Sequence, residues 1–123
     1  MEHFVQLVLD EVIRLEIEDI TTIQSFDFES LRLTKKRLPE IQIAMLIMNR
    51  IPPEENVRNL GFKPDIYSSY FALVNEELMA YCREEGIKVI PWTVNKKEDI
   101  QRMLDLDVDG IISDYPDLVL EML

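Results

Sequence analysis

The spacing of apolar residues along the chain alternates between the period of a helix and that of a strand. Residues 2–16 place apolar side chains three and four positions apart, which predicts a helix with one apolar stripe. The β-branched run at 20–26 predicts a strand, and helical spacing returns at 28–38. The almost uninterrupted apolar run at 41–48 predicts a parallel strand that is covered on both faces.

The second half of the chain continues this alternation. The predicted elements are a short helix around Val57 and Leu60, a brief strand at 65–68, a helix at 75–85, a strand at 87–92, a helix through Leu106, a strand at 109–113 and a closing helix from Pro116. Five strands, each followed by a helix or part of one, predict an α/β fold with a parallel sheet. No linker composition divides the chain, so we expect one domain at 1–123.

Several polar residues and one glycine stand where helix ends need them. Asp27, Asn75 and Asn95 precede helical runs and are predicted N-caps, and Glu98 three residues after Asn95 fits a capping box. Gly86 is the predicted left-handed residue after its helix.

Two segments near the carboxyl end carry the most specific signal. Residues 92–95 read Trp-Thr-Val-Asn, and residues 109–116 read Asp-Gly-Ile-Ile-Ser-Asp-Tyr-Pro. Together with Gln-Ser-Phe-Asp at 24–27, they resemble the C-terminal half of the glycerophosphodiester phosphodiesterase family. The resemblance runs over nearly the whole chain and implies a partial TIM (β/α)8 barrel, with about five βα units matching strands 4 to 8.

Ligands of such barrels bind at the carboxyl ends of the strands, which selects the candidate substrate-binding residues. The resemblance favours Trp92 as an apolar wall of the active-site mouth over a core tryptophan. Ser25 and Phe26 lie at another strand end, where Ser25 could donate to a phosphate oxygen. Asn95 could reach into the same mouth, although N-capping is the favoured role. Asp114 could orient a substrate hydroxyl, but a role in the turn and cap is favoured.

The chemistry of the family resides mainly in motifs that this sequence lacks. Family members carry a His-Arg-Gly strand, a Glu-x-Asp pair, a His-Asp and a further glutamate, which supply acid/base histidines and metal carboxylates. The only histidine here is His3, on the first predicted helix. We therefore predict no catalytic residue and no metal ligand in this chain, which we expect to be inactive alone. The resemblance implies Ca²⁺ or Mg²⁺ for the complete enzyme, and a glycerophosphodiester substrate only once the missing half is present.

The composition and charge of the chain limit which partners and which kinds of site we expect. The formal charge of −11, from 24 acidic and 13 basic side chains, disfavours binding to nucleic acid. Cys82 is the only cysteine, so an internal disulfide is impossible and a buried, inert thiol is expected. Lys35, Lys36 and Arg37 offset a helix C-terminus and make only a weak phosphate site. Asp109 and Gly110 open the last strand at the end associated with stability.

The length and the hydropathy bear on partners and location. A complete barrel takes roughly 250 residues, so 123 residues would leave the strands at 20–25 and 109–113 as open edges. Self-association through those edges is predicted, and a non-catalytic half-barrel module that acts by binding or self-assembly is the alternative function. No apolar run is long enough for a membrane span, and the start lacks a signal peptide. A cytoplasmic setting is predicted, or a secreted one if an N-terminal segment is missing.

Overall fold

A single parallel sheet organises the computed structural model, which describes residues 2–123. The strands lie side by side in chain order, and they are β1 (Thr22–Ser25), β2 (Gln42–Ile47), β3 (Ile66–Ser69) and β4 (Lys88–Val89). The helices are α1 (Glu2–Arg14), α2 (Phe28–Arg37), α3 (Pro53–Leu60), α4 (Glu76–Glu85), α5 (Lys97–Asp105) and α6 (Pro116–Met122), with 3₁₀ turns at Glu18–Ile20 and Phe71–Leu73. The predicted α/β architecture is confirmed.

The hydrophobic core lies between the sheet and its helices. Ile43, Met45 and Ile47 project from one face of β2 into a cluster that includes Leu31 of α2 and Ile100 of α5, and all five residues are at most 3 % exposed. Because successive side chains of a strand alternate between its faces, Ala44 and Leu46 of β2 lie on the opposite face.

The parallel register carries that alternation across the sheet. Ala44 of β2 pairs with Gln24 of β1 and Ile66 of β3, so these side chains share the face opposite the core cluster. That face is the one which lines the interior of a closed barrel. The sheet therefore has a helix-covered outer side and an inner side whose carboxyl end forms the candidate site.

The predicted fifth strand at 109–113 is not formed as regular strand in the described residues. The segment still runs beside β4, because Asp109 N–H donates to Val89 O at 2.9 Å and Ile112 N–H donates to Pro91 O at 3.0 Å. Pro91 has no N–H to donate to this segment, which interrupts the ladder on that side. β4 itself spans only Lys88–Val89, which is shorter than the predicted 87–92. An isolated bridge between Tyr70 and Trp92 continues the β3–β4 pairing beyond the proline.

Two aspartates tie the amino ends of neighbouring strands together. The Asp65 carboxylate accepts from Ile43 N–H at 2.8 Å, while Asp65 N–H donates to Ile43 O at 3.0 Å. Asp109 makes the same pair of bonds with Val89, and its carboxylate accepts from Val89 N–H at 2.7 Å. Each aspartate thus satisfies both backbone groups of one residue in the adjacent strand, in keeping with the stability role predicted for Asp109.

Most local signals in the sequence are confirmed. The Asp27 carboxylate accepts from Ser30 N–H at 3.0 Å as the N-cap of α2, and Asn75 caps α4 through Leu78 N–H at 2.9 Å. Gly86 follows α4 in the left-handed region at φ 71°, and Pro116 is the first residue of α6. Cys82 is fully buried, as predicted, and burial raises the pKa of its thiol to about 12.

Candidate functional site

Aromatic side chains gather at the carboxyl ends of the strands. Phe26 follows β1 and meets the ring of Trp92 edge-on, with 5.7 Å between ring centroids and an interplanar angle of 88°. Tyr70, just after β3, lies 5.5 Å from Trp92 and 4.9 Å from Phe71. Phe26 is 57 % exposed, and Trp92 is partly exposed. This set of four residues, the aromatic cluster, forms an apolar wall at the edge where barrel ligands bind.

Trp92 is held in the cluster by its polar atoms. Its indole Nε1–H donates to Ser68 O at 2.8 Å, and its backbone N–H donates to Ser69 O at 3.1 Å. Its carbonyl accepts from Phe71 N–H at 3.0 Å. The indole N–H is therefore already used within the sheet, and Trp92 has only its ring surface to offer a ligand.

Ser25 is drawn into the turn between β1 and α2. Its hydroxyl oxygen accepts from Asp27 N–H at 2.9 Å, and the Asp27 carboxylate accepts from the Ser30 hydroxyl at 2.6 Å. The bonds from Ser30 lower the pKa of Asp27. Ser25 pairs with Met45 in the β1–β2 register, so its side chain lies on the helix-covered face of the sheet and lines a groove beside α1. His3, the single histidine of the sequence, is exposed on α1 and is not among the hydrogen-bond partners of Ser25.

Asn95 does not cap α5, so that prediction was wrong. Lys96 occupies the N-cap position and makes no side-chain cap bond, which leaves Asn95 one residue too early. Its Nδ2–H donates instead to the Asp114 carboxylate at 2.9 Å, and its Oδ1 accepts from Asp114 N–H at 3.0 Å. The predicted cap role of Asp114 is also wrong, because Tyr115 is the N-cap of α6 and makes no cap bond.

A concavity separate from the aromatic cluster lies between the loops that follow β2 and β3, and no sequence signal pointed to it. Its volume is about 490 Å³, and its lining includes Asn49, Arg50, Tyr67, Ser69 and Asn75. The Tyr67 hydroxyl accepts from buried Asn56 at 2.9 Å, and burial is the main cause that raises its pKa to about 12. A tyrosine in a brief, fully buried strand resembles an ordinary core residue, which explains why the sequence did not reveal it.

Lys35, Lys36 and Arg37 lie in the last turn of α2, where the sequence offered at most a weak phosphate site. Lys35 donates to Pro39 O at 2.9 Å and lies 5.6 Å from the centre of the Phe62 ring. Arg37 is bound to Gln6 and Asp10 of α1. Both cations therefore serve contacts within the chain.

The described residues do not supply a ligand set for a divalent cation. No group of three or more histidine, cysteine, aspartate or glutamate side chains converges within residues 2–123. Hard cations take several oxygen ligands, and a carboxylate cluster would be needed to hold one here.

Within residues 2–123, the structure contains no helix with the length and apolar character of a membrane span.

Comparison with known proteins places this geometry in a family. The model of the glycerophosphoryl diester phosphodiesterase family matches residues 2–118, which is nearly the whole chain. The chain belongs to this family. A glycerophosphodiester phosphodiesterase of Caldanaerobacter subterraneus is 33 % identical over 105 residues, which cover 85 % of this chain and 43 % of the relative. One of Bacillus altitudinis is 33 % identical over 114 residues, which cover 89 % of this chain and 45 % of the relative.

A solved phosphodiesterase-family structure confirms the fold. The protein from Silicibacter pomeroyi superposes with a TM-score of 0.84 at 30 % identity, over 98 % of this chain and 45 % of that one. The chain thus spans less than half the length of these phosphodiesterase relatives, as a partial barrel would. The aromatic cluster and the residues near it are therefore one side of a phosphodiesterase-family fold.

Proposed function

We propose that this chain forms the C-terminal half of a glycerophosphodiester phosphodiesterase barrel and supplies one wall of its active-site mouth. The observation that carries the proposal is the aromatic cluster at the carboxyl ends of the strands, with Trp92 in contact with Phe26 and Tyr70. In a family whose members act on phosphodiesters, such a wall would pack against the carbon skeleton of the substrate.

The residues of this chain would bind and orient rather than transfer protons. Phe26 and Trp92 would exclude water from one side of the substrate. Ser25 would donate a hydrogen bond to a phosphate oxygen only around the end of β1, because its side chain lies on the same face as Met45. Asn95 would act through its hydrogen bonds to Asp114, which hold the turn at 113–115. Hydrolysis also needs an acid near neutral pKa and a Lewis acid, which in this family is a divalent cation, with Ca²⁺ or Mg²⁺ as the proposed ions. Those groups would come from the absent half.

The proposal predicts two results for hydrolysis of glycerophosphocholine. The purified chain should release no sn-glycerol 3-phosphate with Ca²⁺ or Mg²⁺, whereas a chimera should do so. In that chimera this chain replaces the matching C-terminal half of the Caldanaerobacter enzyme. Trp92→Ala and Phe26→Ser should lower kcat/KM of the chimera, whereas Leu120→Ser changes a residue that is 68 % exposed on α6 and serves as the control.

Either of two outcomes would contradict the proposal. Metal-dependent hydrolysis by the chain alone would show that its own residues suffice. A chimera that is folded by circular dichroism but inactive would show that this chain does not provide a working wall.

Self-association is a second proposed property, favoured by the open edge of β1. An apolar groove of about 290 Å³ runs between that edge and α1, and Phe4 on its rim is 63 % exposed. An uncovered edge strand presents free backbone groups to a second strand. Light scattering should show a dimer that Phe4→Glu weakens and Leu120→Glu does not, and a strictly monomeric mass at high concentration would refute it.

The cytoplasmic setting of the chain stays a prediction.

A further inference from the structure

The segment after α5 is held beside β4 and the loop that follows it by a backbone bond from Ile112 N–H to Pro91 O and by contacts at its two ends. At the amino end, Asp109 binds both backbone groups of Val89. At the carboxyl end, Val94 N–H donates to Ile112 O at 2.9 Å, and the Asn95 side chain then binds Asp114 at two points. Side chains thus take over where a regular ladder is absent.

We propose that Asn95 is a positioning residue that sets the rim of the mouth by clamping the Ser113–Tyr115 turn to the loop between β4 and α5. The assignment of this rim to a substrate mouth rests on the proposed function above. The clamp itself rests on three hydrogen bonds of one carboxamide: Nδ2–H to the Asp114 carboxylate, and Oδ1 from Asp114 N–H and from the Ser113 hydroxyl at 3.2 Å.

The clamp has a direction that determines which residues can form it. Oδ1 of Asn95 must accept, because both of its partners are donors. Its Nδ2 must donate, because its partner is a carboxylate oxygen. A carboxylate at position 95 would face the Asp114 carboxylate across the distance of a hydrogen bond, where like charges repel. An amide at position 114 would relieve that repulsion and donate in the reverse direction.

The clamp also continues a hydrogen-bonded path along the rim. Trp92 is tied to Ser69 and Phe71 on the β3 side, and residues 94 and 95 are tied to the last segment on the other side. The Ser113 hydroxyl extends the path, since it accepts from Tyr115 N–H at 3.0 Å. Asn95 therefore adds side-chain bonds to the backbone bonds of Ile112, and together they hold the turn at 113–115 beside the segment that carries Trp92.

A reciprocal swap tests the clamp on the 123-residue chain itself. Four proteins are compared at pH 7: the natural chain, Asn95→Asp, Asp114→Asn and the double variant. The measurements are thermal unfolding and the near-ultraviolet circular dichroism signal of Trp92. Asn95→Asp should lower the unfolding midpoint by about 4 °C and alter the Trp92 signal, because it loses the Nδ2 donor and opposes two carboxylates. Asp114→Asn keeps an acceptor for Nδ2 and should resemble the natural chain.

The double variant decides the matter. It should recover most of the loss and restore the Trp92 signal, since an amide at 114 can donate to a carboxylate at 95. A double variant as perturbed as Asn95→Asp, or an Asn95→Asp chain that matches the natural one, would overturn the proposal. An inactive chimera together with a successful swap would refute the proposed function and leave the clamp standing.

Discussion

Removal of the Asp109 carboxylate tests one tie between the last segment and the sheet. In the structure this carboxylate accepts from Val89 N–H at 2.7 Å, and Val89 is fully buried at 0 % exposure. Asp109→Ala leaves that N–H without an acceptor in the described residues. Asp109→Asn is the matched control, because the amide oxygen can still accept and only the charge is lost.

The expected loss follows from the cost of a buried donor without a partner. A hydrogen bond to a charged group contributes roughly 1.5–3 kcal/mol, and a buried group left unsatisfied costs about 1–3 kcal/mol. We therefore expect Asp109→Ala to lower the free energy of unfolding by about 2 kcal/mol, or roughly 8 °C in the unfolding midpoint for a chain of this size. Asp109→Asn should cost less than about 1 kcal/mol, since it exchanges a charged acceptor for a neutral one.

Urea unfolding followed by far-ultraviolet circular dichroism measures both variants. The slope of free energy against urea should stay constant, because the surface exposed on unfolding is unchanged. The reasoning would be refuted by an Asp109→Ala chain within about 0.5 kcal/mol of the natural one, the range of an ordinary surface substitution. Equal losses for the alanine and asparagine variants would show that charge matters rather than the hydrogen bond.

Three further predictions concern groups with a shifted pKa. Burial raises the pKa of Cys82 to about 12, so a thiol reagent at pH 8 should leave the native chain unmodified and react once urea unfolds it. Burial likewise raises the pKa of Tyr67 to about 12, so Tyr67→Phe should remove a late component from the alkaline absorbance titration and leave the earlier ones unchanged. The bonds from Ser30 lower the pKa of Asp27, so this group stabilises the fold above its unfolded pKa and loses that effect as pH falls through the folded value. The natural chain should therefore be more stable than Asp27→Ala near pH 7, and the difference should shrink in acid; a difference independent of pH would contradict this reasoning.

The features predicted correctly from the sequence are those that depend on residues close together in the chain. Asp27 and Asn75 reach an amide three residues away, and Gly86 adopts the backbone angles that end α4, so local pattern was sufficient for each. The family motifs at 24–27, 92–95 and 109–116 predicted the barrel, which the family model and the Silicibacter structure confirm.

The errors arise where distant residues compete with a local pattern. Asn95 has the spacing of a capping box, but the 113–115 turn, 18 to 20 positions later, takes both of its polar atoms. The 109–113 run has the composition of a strand, yet Pro91 on the neighbouring segment cannot donate to it. Similarly, the contacts of Trp92 with Phe26 and Tyr70 cross between chain segments, which no periodicity could reveal.

The two ends of the sheet differ in the contacts that their side chains make. At the amino ends, Asp65 and Asp109 bind backbone groups of Ile43 and Val89, so adjacent strands are tied to one another by contacts within this chain. At the carboxyl ends, the aromatic cluster leaves Phe26 more than half exposed. Because the amino-end ties involve only residues of this chain, they join adjacent strands without any contact from outside residues 2–123.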